Sequence, residues 1–420
     1  MDLSQHSREE LIQEIRRLEK HVLQLRNVIA KKGDSRDKKI VRHKKKGREF
    51  DHSLYKKRKV LFQITYFGWN YHGFTTQEDS CMTIEAHLFK ALLTTCLIQS
   101  RETSNYHRCG RTDKGVSAFR QVISIDVRTN LKEGIGVFDY PDCKADSRPD
   151  MPHEIDYIKI INSNLPPDIQ LIAWTPAQNR ELSARFDCKK RTYKYFFPLG
   201  SIKSLSKMNE AGAKLVGSHD FRNFCKMDVS NGVLTYIRRM VNVSTSVLEP
   251  SKEKESSPYD LCVLKVEGNA FLWHQIRCIV TVLFHIGQGR EEPELIDELL
   301  DIEKNPCRPQ YGLASEIPLN LFDCSYEGLT WDYNLESLRT CIKGFQELWA
   351  EHAIKAQMIK ACLDELESHF DERVIEQASA LLPHSKQRIY TPFLEMLKCP
   401  SLEEKIQRLN KRRKRNENSD

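Results

Sequence analysis

Two successive rounds of strand and helix patterning constrain this chain more than any other feature of its sequence. In the first, Val60-Leu-Phe-Gln-Ile-Thr-Tyr66 reads as a strand, Thr83 to Ile98 as an amphipathic helix and Gln121 to Val127 as an alternating strand. In the second, beginning near Ile155, Leu171 to Trp174 and Thr192 to Phe197 read as strands and Leu205 to Val216 as a helix. Ile237 to Val247 and Leu261 to Val266 follow as strands, and Trp273 to Ile286 as a buried helix. The pattern predicts an α+β fold of two similar α/β subdomains, residues 59–154 and 155–330, meeting along a sheet. A cleft between them is the natural place for a site. The length, 420 residues, exceeds what a single core usually holds and leaves room for appendages.

The ends of the chain follow other rules. Leu11, Ile15, Leu18, Val22, Leu25 and Ile29 repeat with spacing 4-3-4-3-4, which places one apolar seam along a helix over residues 1–30. A short coiled coil and a helix docked on its own core satisfy this spacing equally. Residues 31–58 form a basic linker, and the segment 31–59 carries fourteen Lys/Arg against four acids. Residues 405–415 hold seven Lys/Arg and no acid, within a basic tail at 401–420. These two segments sum to +17 against a whole-chain +7, so the remainder is net −10 and mildly acidic. The basicity therefore sits in arms suited to phosphate or to a transport receptor. Between them, residues 331–400 turn helical, while Asp142 to Pro152 and Glu249 to Pro258 read as polar surface loops.

A charged fraction of 29% and a mean hydropathy of −0.54 exclude a helical membrane protein. Met1 is followed by Asp2, Arg8, Glu9 and Glu10 rather than by an apolar run, so the expectation is an intracellular chain. Thirteen scattered cysteines include no Cys-x-x-Cys pair, which reads as reduced, mostly buried thiols rather than as a metal framework.

The densest chemical signal is Arg108-Cys-Gly-Arg-Thr-Asp-Lys-Gly-Val-Ser-Ala118, lying between a helix and a strand. Gly110 and Gly115 can supply positive φ or close approach, so Asp113 projects from a tight loop, either as a turn cap or as a reactive carboxylate. The segment Gly110-Arg-Thr-Asp-x-Gly-Val resembles the catalytic loop of the TruA family of tRNA pseudouridine synthases. Further segments resemble the family in the same order: Tyr66-Phe-Gly-Trp-Asn-Tyr-His-Gly-Phe74, Ile161-Asn-Ser-Asn-Leu-Pro-Pro-Asp-Ile169, Ser183-Ala-Arg-Phe186 with Arg191-Thr-Tyr-Lys-Tyr195, Gly268-Asn-Ala-Phe-Leu-Trp-His-Gln-Ile-Arg277, and Tyr311-Gly-Leu313. Lys114, Ser117 and Asp220-Phe-Arg-Asn-Phe-Cys-Lys-Met-Asp228 look closer to the eukaryotic branch that modifies positions 38 and 39 of the anticodon arm.

The resemblance implies the pseudouridine synthase fold, a mostly antiparallel sheet with a central cleft, and tRNA as partner. A homodimer is also expected, and the basic runs Lys38 to Arg48 and Lys411 to Arg415 suit nuclear import, so the expected location is the nucleus, with the cytoplasm open as well. Asp113 falls on the catalytic aspartate and Arg277 on the arginine that pairs with it. Tyr193 falls on the tyrosine that stacks on the target ring, Leu313 on the apolar contact over the base, and Arg111 on the loop arginine that assists flipping or backbone contact. Isomerising uridine breaks a C–N bond and forms a C–C bond with no redox change and no group transferred. One carboxylate nucleophile can carry this, attacking C1′ of the ribose or C6 of the base, so no metal or cofactor is expected. The stacked base must first be flipped out.

Two rival classes are open to test. A zipper-type DNA-binding protein places its basic helix before the heptads, whereas here the heptads come first and Gly33 and Gly47 interrupt the basic run. A catalytically inactive RNA-binding relative would keep the fold but has no need of Asp113, Tyr193 and Arg277 together. The charge distribution also predicts that deleting residues 1–50 weakens tRNA binding and flattens the log K versus log[salt] slope by several units, with turnover at saturating tRNA spared. Identical slopes for full-length and truncated protein would assign the basic arms to nuclear import instead.

Overall fold

The computed structural model describes residues 50–417 apart from 78–80, 142, 146–148, 150, 230–232, 234, 250–256 and 371–389. The heptad helix expected over 1–30, most of the basic linker and residues 371–389 of the helical stretch expected over 331–400 lie outside the described residues, as do parts of the two polar loops.

The first round is built from β1 (Lys57–Tyr66), α1 (Ile84–Thr94), the two-residue β2 (His107–Arg108), β3 (Ser117–Arg128), β4 (Val137–Phe138), α2 (Tyr157–Asn162) and β5 (Ile169–Pro176). The Thr83 hydroxyl accepts from Ala86 N–H to start α1, and the Asp156 carboxylate accepts from Lys159 N–H to start α2. β1 lies between β3 and β5, antiparallel to both. Leu61, Phe62, Ile64, Ile84, Leu88, Leu92, Ile123, Ile125, Tyr157 and Ile161 form its core, all buried.

The second round runs β6 (Lys190–Pro198), α3 (Leu205–Lys214), β7 (Gly217–Asp220), β8 (Ile237–Val247), β9 (Leu261–Gly268), α4 (Gln275–Gly287), α5 (Leu295–Leu300) and β10 (Leu319–Ser325). Its core gathers around α4, which is apolar on nearly every face and buried from Cys278 to Phe284. One sheet carries both rounds in the order β4-β1-β3-β10-β6-β9-β8-β7, with β2 on β3 and β5 on β1. Every pairing is antiparallel except that of β3 with β10, where Asn320 faces Ser117 and Leu321 faces Ala118.

Two differences from the sequence expectation locate the seam. The two buried clusters do not divide at 154/155: Tyr157, Ile161, Ile169, Leu171, Ala184 and Cys188 pack into the first, as do Leu321 and Cys324 of β10, while the second takes Val116 from the Asp113 turn together with residues from Tyr195 onward. The apolar faces of α2 and β5 complete the first core rather than opening the second. Sequence patterning also passed over β10, which pairs with β6 on one side and β3 on the other and so joins the halves.

The chain after residue 330 serves both halves. Helix α6 (Leu335–Glu367) docks on the first through Phe345 against Phe67, ring centroids 5.1 Å apart, and His352 against Trp69 at 5.4 Å. Phe393, fully buried, enters the second core, and α7 (Leu402–Glu417) is anchored there by Lys405, whose Nζ donates to Met227 O at 3.0 Å. No helix among the described residues is long and apolar enough to cross a membrane.

Leu321 is the buried contact at the junction, facing Ala118 of β3 and Tyr193 of β6. Leu321→Ala is expected to cost about 2–5 kcal/mol of stability. Urea unfolding reads this as a lowered midpoint at unchanged slope, and an unmoved midpoint would show that the junction tolerates a cavity.

Candidate active site

The loop from Cys109 to Val116 leaves β2, passes the seam and enters β3. Its base is fixed by charge: the fully buried Glu85 carboxylate of α1 accepts from Arg108 at 2.7 Å, Arg101 at 3.0 Å and Tyr106 at 2.9 Å. Although burial opposes ionisation, the Thr76 backbone bond and the two guanidiniums hold this carboxyl below its usual range. Cys109 N–H donates to Val122 O at 2.8 Å, and Arg191 donates to Cys109 O at 3.0 Å.

The tip is fixed by backbone. Val116 N–H closes a turn onto Asp113 O at 3.2 Å, with Gly115 at φ +81. Phe74 N–H donates to Thr112 O at 3.1 Å, Gly115 N–H donates to Tyr71 O at 3.2 Å, and the Tyr66 and Thr112 hydroxyls share a buried hydrogen bond of 2.8 Å. A Cβ on Gly68 would lie 2.0 Å from Val116 O. One on Gly73, at φ +100, would lie 3.0 Å from Thr112 O. The strand and turn at 66–74 therefore act as a cradle that only glycine can provide at these two points. Gly110, by contrast, has open space around it and no positive φ, so only Gly115 of the two bracketing glycines has the role expected of both.

Asp113 presents a side chain 30% exposed, with Oδ2 3.3 Å from His274 Nε2. Burial raises its carboxyl above the ordinary aspartate range and Glu316 adds to the rise, while Arg277, Trp273 and Lys226 pull it back. His274 precedes α4 in the left-handed conformation, φ 61. Burial, with Arg277, Lys226 and Arg308 nearby, holds its imidazole down to about 3, so the ring is neutral at physiological pH. Its Nδ1 is buried with no hydrogen-bond partner, so the Nε2–H tautomer, aimed at Asp113, is assigned.

Arg277 does not pair with Asp113 as the sequence suggested. Its Nε donates to Ala314 O at 2.7 Å and its terminal nitrogen meets Glu316 Oε2 at 2.8 Å, so it reaches Asp113 as a field rather than as a contact. Glu316, which sequence reasoning missed, takes the guanidinium and roofs Gly115, where an added Cβ would come within 2.7 Å of its Cγ. His274 was also missed, although it lies inside the motif that drew attention to Arg277.

Tyr193 on β6 packs against both cores, edge-on to Phe271 at 5.2 Å, and burial pushes its hydroxyl well up so that it stays protonated. Leu313 is half-buried in the Tyr311–Ala314 segment, which is pinned to α4 by the Thr281 hydroxyl donating to Gly312 O at 3.1 Å. Arg111 is exposed and makes no hydrogen bond or ion pair among the described residues. The arrangement offers one accessible, unusually basic carboxylate with a neutral donor beside it and aromatic and apolar walls, a setting fit for nucleophilic attack.

The pKa shift makes a stability prediction. Because the folded-state pKa of Asp113 lies above its unfolded value, the native state binds more protons in the window between them and loses stability as pH rises through it. Asp113→Asn, which carries no charge, is therefore expected to be more stable than the parent at neutral pH, with the gap closing on acidification. Urea midpoints from about pH 3.5 to 7, which span the ordinary aspartate range and the region above it, measure it; a gap that stays constant across that whole range would mean that Asp113 is not desolvated.

Comparison with known proteins gives a consistent picture. A sequence profile described as tRNA pseudouridine synthase matches residues 211–327. The chain is 43% identical to the tRNA pseudouridine(38/39) synthase of Homo sapiens over 98% of this chain and 89% of the relative. It is 39% identical to the protein of the same name in Saccharomyces cerevisiae, over 69% of this chain and 62% of that one. It is 34% identical to tRNA pseudouridine synthase A of Methanosarcina mazei, over 61% and 82% respectively.

Proposed function

The chain belongs to the tRNA pseudouridine synthase family, an isomerase acting on tRNA uridine, and from that premise we propose that it converts uridine to pseudouridine at positions 38 and 39 of the anticodon stem-loop with Asp113 as nucleophile. The observation that carries the assignment is the Asp113 carboxylate itself, part-exposed on a glycine-cradled turn at the seam of the two cores.

The chemistry follows from the neighbours. A flipped uridine needs a flat apolar wall, which Tyr193, held edge-on by Phe271, and Leu313 supply. Arg111, two residues from the nucleophile and free of intramolecular partners among the described residues, is placed to take a phosphate or the vacated stack. Desolvation makes the Asp113 carboxylate more basic and so a better nucleophile, while Arg277 limits the rise and preserves its charge. Neutral His274 can donate to that carboxylate without neutralising it, and can give the same donor to the base once the carboxylate is engaged.

The finer assignments rest on surface and sequence. Trp349, Ile354, Met358 and Ile359 stand exposed on α6, and the heptads at 11–29 offer a short coiled coil; both support a homodimer. The basic runs Lys38–Arg48 and Lys411–Arg415 support a nuclear location, with the cytoplasm as second compartment.

Asp113→Asn is expected to lose turnover by on the order of 10⁴ or more while binding tRNA almost as before, pseudouridine being read by mass spectrometry of chemically tagged tRNA. Product formation by this variant would remove Asp113 from its role, and tRNA binding without product by the parent would point to an inactive relative. Tyr193→Phe should slow a hydroxyl-dependent proton step and leave affinity intact. In Arg277→Met the acid limb of the pH–rate profile should move to higher pH, since the charge that restrains the Asp113 pKa is gone; an unmoved limb with unchanged activity would sever the two residues.

A further inference from the structure

Cysteines that looked scattered along the chain converge beneath the catalytic loop. Cys109, Cys188 and Cys324 are all buried, and their three sulfurs lie within 4.8 Å of one another. They come from three segments: Cys109 opens the loop that carries Asp113, Cys188 lies just before β6, which carries Tyr193, and Cys324 sits on β10, which joins the halves.

Backbone bonds hold the three segments in place. Lys189 N–H donates to Ser325 O at 2.9 Å, Cys324 faces Arg191 across the β10–β6 pair, and Cys109 is held from both sides by Val122 and Arg191. Arg191 is 9% exposed, and among the described residues its guanidinium donates to the carbonyls of Cys109, Arg185 and Asn269 and to nothing else. It makes no ion pair with a carboxylate among the described residues, so a permanent positive charge is buried against the thiol cluster without an oxyanion to balance it. Buried charges of that kind are ordinarily compensated.

We propose that Cys109, Cys188 and Cys324 form a structural zinc site. Three soft sulfur donors select a thiophilic ion over Mg²⁺ or Ca²⁺. With zinc–sulfur bonds of about 2.3 Å, tetrahedral geometry needs sulfurs somewhat closer than the outer limit seen here, a contraction that side-chain torsions can supply. Binding releases the three thiol protons to solvent, so one Zn²⁺ with three thiolates carries a net charge of −1 and cancels Arg191. No fourth Cys, His, Asp or Glu joins the cluster among the described residues, so these three thiolates are the side-chain ligands that the site supplies. The site takes the first residue of the Asp113 loop, four residues before the carboxylate, and none of the groups assigned to the reaction, so the ion is structural. It staples the catalytic loop, the strand bearing Tyr193 and the joining strand at one point.

The test uses the full chain purified without chelator from zinc-supplemented cells. Elemental analysis should find about one zinc per chain, and cobalt exchanged into the same protein should show the intense visible bands of tetrahedral thiolate coordination with sulfur-to-metal charge transfer in the near ultraviolet. In the native protein these three thiols should resist alkylation until a strong chelator is added, as followed by peptide mass spectrometry. Cys324→Ala should lose the metal, whereas Cys362→Ala, at an exposed thiol elsewhere, should keep it. The parent protein decides the matter even if Cys324→Ala fails to fold. Absence of stoichiometric zinc together with a cobalt spectrum lacking tetrahedral thiolate bands overturns the proposal, and leaves a metal-free thiolate as the counter-charge of Arg191. Because these readouts do not involve turnover, their failure is distinct from failure of the Asp113 assignment.

Discussion

The backbone of the Asp113 turn is held so closely by the segment running from Tyr66 to Phe74 that no side chain fits between them at Gly68 or Gly73. That approach fixes the nucleophile by main-chain bonds from Phe74 and Gly115 rather than by side-chain packing, and main-chain geometry is the stiffer of the two. The rest of the architecture serves the same contact. β1 delivers the cradle, Glu85 and Arg108 anchor the base of the loop, and α4 and the 311–316 segment close over it from the other half of the molecule.

Electrostatically the site is a balance among unlike neighbours. A buried carboxylate beside a guanidinium would ordinarily form a tight ion pair and lose its nucleophilicity to it. Here Glu316 and the Ala314 carbonyl occupy Arg277, and the group in contact with Asp113 is an imidazole kept neutral by burial and by nearby cations. The aspartate thus keeps its charge without surrendering its lone pairs.

Much of this was legible in the sequence, for identifiable reasons. Strands and helices with strong apolar periodicity, such as β1, β8 and α4, announce themselves because burial imposes the period directly. Asp113, Tyr193 and Arg277 stand in compact motifs. The joining strand β10 was passed over because Asn320 and Asp323 dilute its alternation and only partial burial is required of it. The division between the cores was misjudged because α2 and β5 look like the start of a new round, and only their partner β1 reveals where they belong. His274 carries no periodic signal, and its left-handed backbone is a property of the fold. The thiol cluster is written in three places far apart in the chain, so no local spacing rule finds it.

The position of β10 bears on how the protein is made. It lies in the middle of the sheet yet comes off the ribosome after every other strand, so the residues up to Cys188 can gather the first core while the partner for the exposed edge of β3 is still unsynthesised. Closing that gap joins residues 117–118 to 320–321, a contact of long sequence separation whose loop-closure entropy slows late assembly. During synthesis the nascent chain therefore carries an open strand edge beside its unfinished catalytic seam. The last strand to emerge is the one that both seals the edge against association with other chains and switches the site into being.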